Sequence, residues 1–422
     1  MKVVAVKIIS DLHIHSRFAM ACSDAINLQG IEETAVQKGI NLISTGDFTH
    51  PLWLKELKST LEPAEPGLFK MKGSSSGVRF ILGSEVSTVF GQGERQRRIH
   101  HCILAPSFDA VDAINERLSK RGDLMSDGRP QVSMSAAELV DELLKSDNRT
   151  FVFPAHAWTP YFGVFGALSG VDSMKEAYED QEKNIFALET GLSSSPEMNW
   201  RLSALDKYSL LSNSDMHSLQ KIGREMNVFN LGNLSYDWLI RAIKEKDKKT
   251  FEKTVEFFPE EGKYHFDGHR PCMVSIDPDK QKSITRCPVC GGKIVVGVLH
   301  RINNLADRDS DYSPSNRVPY VKTVPLREII AYVNRKAPTS VAVTKTYLEM
   351  MSKLGTEYSI LVDVSADRIS EGFGEDMGKA VENMRKGDIT IEPGYAGVFG
   401  KIDLLNRDKQ KKGLQGWKQK VL

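Results

Sequence analysis

Seven short β-rich runs alternate with helix-like segments over the first half of the 422-residue chain, and each run carries a histidine or an acid within it or just after it. The runs are residues 3–10, 41–46, 79–84, 98–104, 150–155, 184–189 and 208–213. Between them lie IEETAVQKG, DAVDAINERLSK, SAAELVDELLK and PEMNWRLSALDKY, with apolar residues at three-to-four spacing that predicts helices. Strand and helix in alternation predict an α/β fold with a parallel sheet, and this many units in one domain predict closure into a barrel. The carboxyl ends of barrel strands converge on one face. Here those ends carry, in turn, Asp11/His13/His15, Asp47, Glu85, His101 with His100 beside it, His156, Glu189 and Asp215/His217.

Any one of these residues could be a helix cap or a loop hydrogen-bonder. The whole series is poorly explained that way. In Asp11-Leu12-His13-Ile14-His15-Ser16 the two imidazoles point the same way if the run stays extended. His50 lies off its strand end, and His100 should face opposite to His101, so these two are expected outside the ligand set. Glu189 reads equally as a ligand, a supporting partner or a cap. About four His with three or four carboxylates and no thiolates suit Zn, Mn or similar ions that share bridging oxygens. Two or three such ions together are a device for phosphoester hydrolysis. The sequence has neither a GxxxxGK phosphate loop nor a serine nucleophile elbow, so metal-activated water is the expected nucleophile.

Composition removes several other classes. A net charge of +1 gives no global field for nucleic acid, so local patches must supply any such contact. No run of about 18 apolar residues predicts a membrane span. The charged Lys7 and Asp11 interrupt the apolar start, so a leader is not expected and cytoplasmic residence is. Five cysteines are an odd number, and Cys272, Cys287 and Cys290 share one nineteen-residue window, which favours a metal site over disulfides. Cys22 and Cys102 read as buried small hydrophobes. His269-Arg-Pro-Cys272 and Cys287-Pro-Val-Cys290 form two x2-spaced pairs that match a structural zinc knuckle, with His265 and His300 as competitors of His269 for the fourth position.

Three domains are expected: a catalytic barrel over 1–250, a zinc-binding domain over 251–305 and a mainly helical, DNA-binding C-terminal domain over 306–422. Contacts to nucleic acid are expected from the GQGERQRR insertion (Arg95, Arg97, Arg98) and from the glycine-aromatic loop after His156 (Trp158, Tyr161, Phe162). The basic end, with Lys411 and Lys412, is a further candidate. EPGYAGVFGKIDLL (392–405) predicts close backbone approach to the barrel or to a ligand.

The order DLHIHS, TGDF, GSE, HHC, PAH, LETG, NSDMH resembles the PHP superfamily of metal-dependent phosphoesterases, which implies a distorted seven-stranded βα barrel. By that resemblance His13 and His15 hold one metal with Glu85 and Asp215. Glu85 bridges to a second ion on His101 and His156, and Asp47 and His217 serve a third. The chain departs from many members in having Gly46 before Asp47 and no histidine between His15 and His50. GKYHFDGHRPC, CPVCGGKI, GVLHRINNLADR and EPGYAGVFGKI extend the likeness over almost the whole chain to the endonuclease Q family. That resemblance implies a DNA repair endonuclease cutting 5′ to deaminated bases (uracil, hypoxanthine, xanthine) or abasic sites in double- or single-stranded DNA. It implies two or three divalent ions (Zn, Mn or Mg) in the barrel and one structural Zn. A monomer is expected, with a sliding clamp as a candidate partner. The rival readings are a histidinol-phosphatase-like phosphomonoesterase and a non-catalytic nucleic-acid-binding module.

Overall fold

The computed structural model describes residues 6–280 and 284–407. All seven expected runs form strands: β1 Val6–Asp11, β2 Leu42–Ser44, β3 Arg79–Gln92, β4 Arg95–Ala105, β5 Phe151–Pro154, β6 Ala187–Glu189 and β7 Ser209–Leu211. Three further strands belong to the same architecture: β8 Met226–Leu231, β9 Phe251–Glu256 and β10 Tyr320–Lys322. β1 is central. It pairs in parallel with β2 and antiparallel with β8. β2 then runs parallel to β3, which folds back on β4 as a long hairpin, and β5 lies antiparallel to β4. β9 and β10 extend the sheet beyond β8.

The expected parallel barrel is therefore corrected in two ways. Parallel pairing among the seven runs is confined to β1–β2–β3 and β6–β7, and β8 stands between β7 and β1. A few hydrogen bonds, not ladders, link the flanking segments: Ala157 N donates to Glu189 O (2.9 Å), and the Asn227 side chain accepts from Ser212 N (3.0 Å) and donates to Ser212 O (2.8 Å). The physical reason is the tight turn at 93–94, too short for a crossover helix, which forces β4 antiparallel to β3.

The inner strands are buried on both faces, which is why they read as near-continuous apolar runs. Ile8, Leu12, Leu42, Ile81 and Leu104 enter one core, and Ile9, Ile43, Phe80, Leu82 and Ile103 the other. The helices over Leu28–Lys38, Phe108–Leu118 and Ala136–Ser146 start at side-chain caps from Asn27, Ser107 and Ser135. Ser135 and Glu138 form a full capping box. The helix expected over 196–208 is reduced to one turn at Pro196–Asn199 and another at Ser203–Leu205. Tertiary contacts take its polar groups: Asn199 accepts from the Trp158 indole, and Asp307 accepts from Ser203 N.

Beyond β10, helices Leu326–Asn334, Val341–Leu354, Ala366–Phe373 and Glu375–Lys386 enclose a separate core that includes Ile329, Tyr347, Ile369 and Val381. A buried ion pair ties this core to the sheet. Lys38 Nζ lies 2.7 Å from Glu357, with side chains only 4% and 3% exposed. Glu357 also accepts from Leu326 N (3.0 Å) and the Tyr347 hydroxyl (2.7 Å). Removing one partner strands a buried charge, at a cost of about 3–5 kcal/mol. Glu357→Ala should therefore lower the melting temperature by several degrees, whereas the exposed Glu349→Ala should leave it nearly unchanged.

Candidate metal centre

The chain stays extended past β1. Ile14 bridges Met216, Asp215 N donates to His13 O (3.0 Å), and His15 N donates to Met216 O (3.2 Å). This short pairing brings Asp215 beside both imidazoles. Asp47, His156 and Asp215 all have positive φ, at 47°, 30° and 45°. Such backbone costs on the order of 1–3 kcal/mol per residue and persists only where neighbours fix it. One neighbour is Gly191, where a Cβ would stand 2.7 Å from that of His156.

Glu85 is the hub. Its Oε1 lies 2.7 Å from His100 Nδ1 and 3.1 Å from His156 Nε2. Its Oε2 lies 3.1 Å from His15 Nε2, 3.5 Å from His13 Nε2 and 3.3 Å from the Arg129 guanidinium. Asp215 Oδ1 completes one group, 3.1 Å from His15 Nε2 and 3.7 Å from His13 Nε2. Burial alone would raise the Glu85 carboxyl, but His100, Arg129 and His13 together hold it well below its ordinary value. His13 Nε2, His15 Nε2, His100 Nδ1 and Asp215 Oδ1 are all buried and lack an aligned hydrogen-bond partner. Unpartnered imidazole nitrogens and carboxylate oxygens converging on one volume fit divalent cations. Two candidate ligand groups share Glu85: His13/His15/Glu85/Asp215 and Glu85/His100/His156.

His101 is not among them, which corrects the expectation about the His pair. In the β3–β4 register Glu85 stands opposite Cys102, and Ser87 opposite His100, so His100 shares the face of Glu85. His101 faces the other side, bonded to Thr88 (3.0 Å) and to the Tyr178 hydroxyl (3.0 Å). Burial, then the neighbouring His100, pushes His101 down to about 3, so it remains a neutral core residue.

Asp47 supports His15 and lies outside both groups. Its Oδ1 is 2.9 Å from His15 Nδ1 and its Oδ2 accepts from Ser16 N. Glu189 does the same for His13, at 3.0 Å, and also accepts from His156 N (2.7 Å). His217 Nδ1 contacts Asp215 O (2.9 Å), so this ring lies beside the cluster without joining it. Asp11, which heads the HxH segment, lies outside both groups: it accepts from Ser214 N and Gly223 N (both 3.0 Å) and so fixes the Asp215 loop. Cys102, beside His13, is held as the neutral thiol by burial.

A second, separate site gathers His269, Cys272, Cys287 and Cys290. His265 is buried elsewhere, and His300 is 2.5 Å from Asp267, so His269 is the histidine that accompanies the thiols.

A family model described as the MJ0043 C-terminal domain matches residues 325–388. The uncharacterized protein MJ0043 of Methanocaldococcus jannaschii is 30% identical over 258 residues, 58% of this chain; the match spans only 31% of that protein's length. Among solved structures, the lesion-specific endonuclease PfuEndoQ of Pyrococcus furiosus superposes with a TM-score of 0.84 at 33% identity, over 94% of this chain and 95% of that one. The chain belongs to the endonuclease Q family. It is by that membership an enzyme that cuts nucleic-acid strands internally. A second endonuclease Q structure, in complex with a 27-mer duplex substrate with an abasic lesion at the active site, matches with the same score and identity, over 94% of this chain and 96% of that one.

In this member of the endonuclease Q family the candidate metal ligands open on a cleft of about 750 Å³. His100, Arg129, His156 and Asp215 form one wall, and Phe257, Glu261–Tyr264 and Phe399–Gly400 the facing one. Of the residues expected at nucleic acid, Phe162 lines the cleft, stacked on His100, with the Arg98 guanidinium 5.7 Å from its ring. Tyr161 is exposed at the rim, edge-on to Tyr264, and Arg95 is exposed near the tip of the hairpin. Trp158 and Arg97 are corrected. Trp158 is fully buried, and Arg97 is bonded to Gly170 O and Glu176. The loop's glycines are packing devices: a Cβ at Gly163 would stand 2.5 Å from Ala157 O. Lys411 and Lys412 lie outside the described residues. Sequence reading missed Arg129, Lys263, Tyr264 and Phe399. Only the glycine-aromatic spacing of 392–405 signalled the last of these.

The two histidines give opposite expectations. His100→Ala should lower divalent-metal affinity by about tenfold or more, read by calorimetric titration. His101→Gln should leave metal affinity within about twofold while lowering the melting temperature, because two buried hydrogen bonds change.

Proposed function

We propose that this protein is a metal-dependent DNA repair endonuclease. It hydrolyses the phosphodiester 5′ of a deaminated base (uracil, hypoxanthine or xanthine) or an abasic site and leaves a 3′-hydroxyl and a 5′-phosphate. The observation that carries this reading is likeness over 94% of the chain to an endonuclease Q whose structure holds an abasic lesion at its active site. The buried donor cluster at the floor of the cleft supports it from chemistry alone. His13, His15, Glu85, Asp215, His100 and His156 would hold the catalytic ions, with Asp47 and Glu189 orienting the first two rings. Divalent cations bound there supply the charge that activates water and offsets negative charge at phosphorus.

The protein's own groups do the positioning. Arg129, largely buried against Glu85, lines the cleft and offers its remaining N–H donors to a phosphate. Lys221 and Lys263 place further positive charge on the lining. Phe162, Tyr264 and Phe399 present ring faces on which an unstacked nucleotide can lie. Phe399 is 65% exposed, with Lys263 Nζ 4.6 Å from its ring centre. His269, Cys272, Cys287 and Cys290 would hold one structural zinc, which folds its module and takes no part in the chemistry.

End-labelled duplexes carrying one deoxyuridine, deoxyinosine or abasic residue, with divalent metal, test the proposal. A single nick 5′ of the lesion is expected, with none on matched undamaged duplex. Phosphate release from a generic monoester without nicking would support a phosphomonoesterase instead, and binding without cleavage a non-catalytic module. His13→Ala and Asp215→Asn should each reduce nicking by more than about a hundredfold while leaving the fold intact. Full nicking by either variant would overturn the ligand assignment.

A further inference from the structure

Glu261 lies on the cleft wall that faces the metal cluster, at the end of the turn Pro259–Glu261. Its side chain is 8% exposed, and its Oε1 is buried with no hydrogen-bond partner. The backbone around it is held on three sides. Gly400 N donates to Glu261 O (3.0 Å), Gly394 N to Glu260 O (2.8 Å) and Gly262 N to Pro259 O (3.0 Å). A Cβ at Gly400 would stand 2.9 Å from Glu261 Cα, so the 394–400 strap fixes this carboxyl against the cleft. Among the described residues no side-chain hydrogen bond or ion pair joins Glu261 to His13, His15, Glu85, His100, His156 or Asp215.

The charged groups facing it come from three elements. Glu328 projects from the helix Leu326–Asn334, Lys221 from the turn Leu219–Lys221, and Glu260 precedes it in the chain. Lys221 is itself 3.0 Å from Glu328, which weakens its pull on Glu261. Lys263, Arg224 and Arg129 are the other lysine and arginine residues lining the cleft; Arg224 bonds Ser214 O and Asp215 O, and Arg129 pairs with Glu85. Burial first, then Glu328 and Glu260, pushes the Glu261 carboxyl up to about 8.

We propose that Glu261 separates uracil and hypoxanthine from their parent bases cytosine and adenine, donating a hydrogen bond to the carbonyl that a deaminated base carries in place of an amino group. This rests on the endonuclease reading above and names the group that reads the base within it. Cytosine and adenine present an exocyclic amino donor, whereas uracil and hypoxanthine present a carbonyl acceptor at the same position. An ionised glutamate offers acceptors only and favours the amino-bearing parent. Held neutral, it has an O–H to give, as carboxyls in apolar sites do when they serve as donors. An abasic lesion has no base edge, so its cleavage does not involve this contact.

Nicking of uracil, hypoxanthine and abasic duplexes by the wild type, E261A and E261Q, from about pH 6.5 to about pH 9.5, tests the assignment. E261A should cut the abasic duplex within about twofold of wild type and the uracil and hypoxanthine duplexes about tenfold more slowly or worse, the loss of one buried hydrogen bond. The wild-type ratio of uracil to abasic cleavage should fall as the carboxyl ionises. That of E261Q, whose amide donates at every pH, should stay flat. Equal slowing of all three lesions, no slowing of any, or parallel pH profiles for wild type and E261Q would overturn the proposal. If E261A melts early and loses abasic cleavage too, the wild-type and E261Q pH ratios decide it alone. Failure of the wild type to nick any of the three would instead sink the endonuclease reading, and this inference with it.

Discussion

The carboxylate of Glu85 is the point on which the site depends. A fully buried carboxylate is tolerated only where charge and hydrogen bonding compensate its lost hydration. Glu85 draws that compensation from four imidazoles and one guanidinium supplied by separate elements. The strands must lie closely enough to bring His13, His100, Arg129 and His156 to one side chain. Each of those residues in turn faces a hub of negative charge that favours a bound cation. The same carboxylate thus ties fold to chemistry, because removing it leaves buried donors facing one another.

Behind the hub a polar lattice fixes the rings. Asn227 donates to the Asn213 side chain (2.9 Å), Asn213 donates to Glu189 (2.8 Å), and Glu189 holds His13 and the His156 backbone. Leu12 N donates to Asn213 as well, so the lattice sets the height of the HxH segment relative to β8. Fully satisfied buried networks of this kind are rigid. That rigidity is what maintains the positive φ of His156 and Asp215.

Much of this was legible in the sequence, because it rests on local pattern. The seven runs and their terminal ligands follow from β-rich segments punctuated by His and acid, and His13, His15, Glu85, His156 and Asp215 do meet. The x2-spaced His and Cys pairs meet for the same reason: each knuckle is local. What failed was register. Which of His100 and His101 faces Glu85 depends on the pairing of β4 with β3, and a shift of one residue would exchange them. Trp158 and Arg97 failed differently. A glycine-rich loop with aromatics and a run of arginines look exposed until tertiary contacts are known, and here the glycines permit backbone packing that buries both. β9 was hidden by its lysine and glutamates, which obscure the strand pattern although Phe251, Val255 and Glu256 are buried.

The sheet and its metal ligands alone would present only half a cleft. The facing wall is made by 257–264, which leaves the sheet at β9, and by the 394–400 strap, which returns from the helical region to lie on it. Gly394 and Gly400 are required there, since a Cβ at either would meet backbone oxygens of 260–262 at 2.2 and 2.4 Å. The helical core from which the strap returns is joined to the sheet side by the Lys38–Glu357 and Lys221–Glu328 ion pairs and by the pairing of β10 with β9. About 385 residues of sequence thus separate the HxH segment from Phe399. Chemistry is set by the first wall, where the carboxylates and imidazoles lie. On the proposed reading selection belongs to the second, where a ring face, an ammonium and the Glu261 carboxyl are brought together in the cleft.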